Sequence, residues 1–200
     1  MKHLKMLVLA AAAAAVLALA GASGASATVL CKAAESPCAA VNKYPLATEL
    51  HARMTEGLLA MKTEFQKAEC LSYTFRSKTS TAGSATETVE GAYEVLEVAP
   101  CSGNVFWLKG GGYIIHHITG TSNGQFTIKN FEVLLTGSGV ECRYGGTFEA
   151  GTLVGGSPAT LKISGSVPKT AGGFLCSPTM SITSGPIEFT APKPLYVAAS

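Results

Sequence analysis

The chemistry open to this chain is set by thirteen glutamates, six cysteines, four histidines and a complete absence of aspartate. Without aspartate there is no EF-hand calcium loop, no aspartic dyad and no Ser-His-Asp triad. One serine stands in a nucleophile-like setting, because Gly120-Thr121-Ser122-Asn123-Gly124 has the G-x-S-x-G form. That motif needs a strand before it and a helix after it, so that the serine projects from a strained turn. Gln125 to Phe131 reads instead as a strand, which predicts a hairpin turn around Ser122. His116 and His117 are adjacent on a predicted strand and point to opposite faces, so they cannot chelate one ion together. One is expected half-buried and the other exposed. Nothing in the spacing joins His51 or Glu56 to either of them.

Glycoside hydrolysis needs two carboxyl groups held roughly 5–10 Å apart. Strand parity sets Glu90 and Glu94 on one face and Glu87 and Glu97 on the other, as solvated charges. Phe106, Trp107, Tyr113 and Phe126 are candidates for an apolar or sugar-stacking pocket, against the alternative of plain core packing. The chain has no P-loop, dinucleotide fingerprint or N-glycosylation sequon, and no cofactor is expected.

The cysteines depend on compartment. Lys2, His3 and Lys5 precede an apolar run over residues 6–20 and a small-x-small Ala25-Ser26-Ala27. These are the three parts of a secretory leader, in order. The apolar run is shorter than the about 20 residues that span a bilayer, so residues 1–27 are expected to be cleaved before Thr28. A lipid-modified Cys31 is disfavoured by the bulk of Leu30 before it. Loss of Lys2 and Lys5 brings fifteen basic residues down to thirteen, equal to the glutamates. No basic field is left to attract nucleic acid or anionic lipid. No membrane span is expected after cleavage.

Export places Cys31, Cys38, Cys70, Cys101, Cys142 and Cys176 in an oxidising compartment, where an even count reads as a disulfide framework. No C-x-x-C pair exists and no histidine lies at zinc-ligand spacing from a cysteine, so no metal is expected. Sequential pairing is the expectation. Cys31–Cys38 would close a small loop, Cys70–Cys101 the outer ends of one hairpin, and Cys142–Cys176 the ends of two later strands.

The elements that must position these groups read as short strands. Residues 28–45 form an alanine-rich N-terminal cap with a helical turn at 39–43, and residues 46–200 a single β domain. Strand 159–167 alternates cleanly, with Leu161, Ile163 and Val167 on one face and Thr160, Lys162, Ser164 and Ser166 on the other. Hairpins are predicted from 113–119 with 125–135, and from 70–78 with 87–98. Further strands are predicted at 147–154, 178–183 and 187–190. Residues 58–68 carry both a helical and a strand spacing, and the neighbouring strands favour the latter. The fold class is all-β: a disulfide-bonded antiparallel β-sandwich or barrel with a short N-terminal disulfide-closed cap.

Several segments carry a resemblance: Cys31-Lys-Ala-Ala-Glu-Ser-Pro-Cys38, His116-His-Ile-Thr-Gly-Thr-Ser-Asn-Gly124, Gly155-Gly-Ser-Pro-Ala-Thr-Leu161, Phe174-Leu-Cys-Ser-Pro178 and Pro192-Lys-Pro-Leu-Tyr-Val197. Together they resemble a family of small exported six-cysteine proteins of actinobacteria that is itself uncharacterised. The resemblance runs over nearly all of residues 28–200 and implies an extracytoplasmic, disulfide-bonded protein. It carries over no activity, ligand or catalytic residue. Residues 179–190 depart from the aromatic-rich run of that family.

The functional expectation is a secreted, non-enzymatic structural or interaction module of the cell envelope or extracellular space, with a partner there. The alternative is a β-barrel that takes a small apolar ligand or a carbohydrate at Phe106, Trp107, Tyr113 and Phe126. A hydrolase built on Ser122 or on glutamates is the most distant reading.

Overall fold

A computed structural model of the protein describes residues 27–137 and 139–200. The expected leader lies outside them, apart from Ala27. Fourteen strands make the fold: β1 (Val29–Cys31), β2 (Glu49–Met54), β3 (Leu59–Lys62), β4 (Lys67–Cys70), β5 (Tyr73–Thr79), β6 (Val89–Val98), β7 (Cys101–Ser102), β8 (Asn104–Lys109), β9 (Gly112–His117), β10 (Gly124–Gly137), β11 (Val140–Val154), β12 (Ala159–Gly172), β13 (Thr179–Ala191) and β14 (Tyr196–Ala198). The one helical piece among the described residues is a 3₁₀ turn at Ala40–Asn42, inside the cap. Among the described residues no helix is long and apolar enough to cross a membrane.

The choice between sandwich and barrel is made by one ladder. The antiparallel order β12-β11-β10-β9-β6-β5-β2-β13 returns on itself because β12 also pairs with β13, which closes eight strands into a barrel. Alternation then fills the interior. In β12, Leu161, Ile163 and Val167 are buried while Lys162, Ser164 and Ser166 face water. The largest fully buried side chains include Tyr113, Tyr144, Phe75, Phe126 and Phe189.

Several strands break strict alternation, β6 and β13 among them. In β6, Val95 lies opposite Arg76 while Tyr93 lies opposite Ser77, so Glu94 is an extra, bulged residue. The bulge resets parity: Val89, Gly91 and Tyr93 point inward, and Leu96 and Val98 then pack against the core. It also corrects the expected glutamate faces, because Glu94 and Glu97 are both exposed. In β13 a second irregularity sits opposite Lys162/Ser164. The strands expected at 178–183 and 187–190 are therefore one continuous strand, with Ser184-Gly185 as its bulge and not a loop.

Three further boundaries shift. Residues 70–78 are two strands, with Cys70 ending β4 and the hairpin to β6 beginning at Tyr73. The ambiguous stretch 58–68 is the β3–β4 hairpin, in which Leu59 and Met61 are buried. β1 pairs with the C-terminal β14, so the cap is tied to the last strand of the chain.

Lower in the barrel the wall changes partners. β13 pairs with β3 beyond its β2 ladder, then β3 with β4 and β4 with β7, while β8 adds to β10. Disulfides join Cys31 to Cys38, Cys70 to Cys101 and Cys142 to Cys176, the sequential pairs.

Candidate functional site

At the cap end, the turn after β9 holds the only serine–histidine contact among the described residues. Ser36 Oγ lies 3.3 Å from His117 Nε2, beside an open depression of about 520 Å³. The same Nε2 lies 2.8 Å from the Thr121 carbonyl oxygen, which can only accept. Nε2 therefore carries the proton and cannot take one from Ser36. The Ser36 hydroxyl also accepts from the Ala199 N–H at 3.1 Å. The buried Thr28 Oγ1 accepts the His117 backbone N–H at 2.9 Å. This arrangement latches the cap to the barrel rather than activating a nucleophile. His116 is half-buried and His117 buried, where an exposed member was expected.

Ser122 sits in a hairpin turn followed by β10, a strand and not the helix that an elbow requires. Ile118 N–H donates to the Asn123 carbonyl at 3.0 Å, and Thr121 N–H to that of Ile118 at 3.1 Å. His51 is paired with Glu49 at 3.6 Å on β2. Glu90 is bound by Lys129.

Cys31, Glu35 and Cys38 are the one group with metal-like clustering among the described residues. Both sulfurs are spent in a disulfide. The Glu35 carboxylate accepts from Asn42 Nδ2 and the Ala39 N–H, each at 2.8 Å, and these bonds hold its pKa below the usual carboxylate value. Glu35 thus braces the cap loop.

The four aromatic candidates do not share a pocket. Tyr113 and Phe126 are stacked inside the core, with centroids 5.4 Å apart. Phe106 is 54% exposed on the outer face. Trp107 turns inward against Phe131 at 5.2 Å. Their places follow from alternation along β8 and from the β10 ladder, which sets Trp107 opposite the buried Val133.

The opposite end of the barrel is built differently. Phe65 is 64% and Phe174 93% exposed, and Leu175 is exposed beside it. Phe65, Leu175, Val140 and Gln66 line a groove of about 550 Å³. Gln66 Nε2 donates to the Val140 carbonyl at 3.2 Å, while its Oε1 is buried without a donor.

The loops that carry these side chains are held tightly. Thr63 Oγ1 accepts the N–H groups of Phe65 and Gln66 at 3.3 and 2.8 Å, which shapes the β3–β4 turn. The Glu64 N–H donates to Ser177 Oγ at 3.2 Å and joins that turn to the β12–β13 loop. The Tyr144 hydroxyl donates to the Ser177 carbonyl at 3.2 Å, Lys169 Nζ to the Cys176 carbonyl at 3.2 Å, and the Cys142–Cys176 bond lies beneath. Cys70–Cys101 fixes the neighbouring β4–β7 edge.

Sequence reasoning missed Phe65, Phe174 and Leu175 as a surface. The readable signal was two bulky apolar residues between Gly172-Gly173 and Cys176, in a turn where polar residues are usual. No protein-family model, curated protein or solved structure matches the chain.

Proposed function

We propose that the protein is a non-enzymatic interaction module that works outside the cytoplasm and engages an envelope or extracellular partner through the Phe65–Phe174 end. The observation that carries this reading is Phe174: a fully exposed aromatic ring on a loop fixed by a disulfide and by hydrogen bonds from Lys169 and Tyr144. Exposed apolar side chains that gather at one place mark interaction sites. A surface ordered in advance loses less entropy when it binds.

The compartment follows the same logic, since three disulfides are typical of extracytoplasmic proteins. The reading also agrees with the resemblance to exported six-cysteine proteins. The Ser36–His117 contact agrees with a non-enzymatic reading, because Nε2 is placed to donate to the Thr121 carbonyl and not to take a proton from Ser36.

The test is partition in the cells that encode the protein. Wild-type protein is expected in the envelope fraction. A Phe65→Ser/Phe174→Ser variant of unchanged thermal stability is expected to shift to the soluble extracytoplasmic fraction. Equal partition of the two proteins would remove this surface from the account.

A further inference from the structure

A second site, independent of the Phe65–Phe174 end, lies in the barrel wall. β9 and β6 are paired only as far as Ala92 and Gly112, and the Tyr93 N–H donates the last bond, to the Gly111 carbonyl at 3.2 Å. Beyond it the two edges part. Among the described residues, 95–98 of β6 pair only with β5, and β8 pairs only with β10. Gly110 borders this seam, where a Cβ would make ordinary van der Waals contact with Leu96 at 3.9 Å and Tyr93 at 4.0 Å.

Behind the seam is a cavity lined by Tyr73, Tyr93, Leu96, Trp107, Phe131 and Phe148. Two polar groups at this lining are buried without a hydrogen-bond partner, the Tyr93 hydroxyl and Trp107 Nε1. The Tyr73 hydroxyl is close enough to affect the ionisation of Tyr93, yet the approach falls outside hydrogen-bond geometry. Elsewhere the lining is hydrocarbon, including Leu59, Ile128 and Ile163.

We infer that the β6–β8 seam admits a small uncharged molecule whose carbonyl-type oxygen accepts from Tyr93 and Trp107 while its apolar frame meets the surrounding side chains. Both unpartnered groups have a proton to give, and the indole can only donate. A carbonyl oxygen has two lone pairs and no hydrogen of its own. A water could accept from the same two donors, but its own hydrogens would then face a mostly hydrocarbon wall, and buried waters typically make about three hydrogen bonds. Closed, the cavity is only about 10 Å³, room for one water at most, so entry of anything larger requires the seam to part. The seam is where parting breaks no backbone ladder.

The single tryptophan makes the test direct, because the folded protein has one indole N–H resonance. Cyclohexanone and methylcyclohexane, similar in shape and differing in the acceptor, are titrated into ¹⁵N-labelled disulfide-bonded protein. Cyclohexanone is expected to move the indole signal downfield and saturably, and methylcyclohexane is expected not to. Tyr93→Phe, which keeps the ring and removes one donor, is expected to weaken cyclohexanone binding about five- to tenfold. Phe174→Ser is expected to leave it unchanged, which separates this site from the interaction end. No displacement by either compound, equal displacement by both, or undiminished binding to Tyr93→Phe would overturn the inference.

Discussion

Tyr113 shows how closely single residues are set in this barrel. Its ring stacks on Phe126, its hydroxyl accepts from Ser77 Oγ at 3.2 Å, and a Cβ built on Gly91 would lie 2.2 Å from that hydroxyl. Glycine at position 91 is what lets a tyrosine point inward from the next strand. Burial pushes the Tyr113 hydroxyl up to about 12, and it also raises Tyr73 and Tyr93 above the ordinary tyrosine value. A raised folded pKa favours the protonated form, so the stability these groups add is fully present below the unfolded value of about 10. It is lost as pH climbs from there through the folded values. Each such tyrosine steepens the loss by about 1.4 kcal/mol per pH unit. Urea denaturation is expected to show stability falling between about pH 10 and 12, less steeply in Tyr93→Phe. A flat profile across that window would contradict the burial of these hydroxyls.

At the scale of elements, the β12–β13 loop depends on its disulfide. Cys142 and Cys176 close a loop with a sequence separation of 34. Removing such a cross-link costs about 3–4 kcal/mol in the chain-entropy account. Cys142→Ala/Cys176→Ala is therefore expected to lose stability by that amount and to free the Phe174 loop, with envelope retention falling even where the barrel stays folded. Retention equal to wild type in a folded variant would show that the ring needs no fixed frame. Strands such as β12 and the β9–β10 hairpin were legible in the sequence because period-two alternation and a glycine-rich turn are local. The bulges at Glu94 and Ser184-Gly185 were not, since a bulge is recognised only against its partner strand. That is why the parity of Glu94 and Glu97 was misread, and why β13 was expected as two pieces.

For the whole molecule, closure joins distant ends. The β12–β13 ladder seals the barrel, while β14 pairs with β1 and buries Leu195, Val197 and Ala198 completely. The C-terminal residues are thus part of the core. Truncation after Pro194 would remove Leu195 and Val197, at about 1.5–3 kcal/mol for each buried side chain. It would also leave Val29 and Leu30 without their ladder. The truncated protein is expected to unfold several degrees lower in calorimetry, with faster hydrogen exchange in β1. An unchanged transition would mean that the cap contributes nothing to barrel stability.

The sequence by itself determined the fold class, most strand positions and the exclusion of aspartate-based chemistry. Composition, alternation and turn residues act over a few neighbours and need no tertiary context. Only the tertiary structure decided that the sheet closes into a barrel, that Trp107 parts company with Phe106, Tyr113 and Phe126, and that Phe65 meets Leu175 across a groove. Those outcomes hang on inter-strand register, which one bulged residue is enough to reset, and on pairings between segments more than a hundred residues apart.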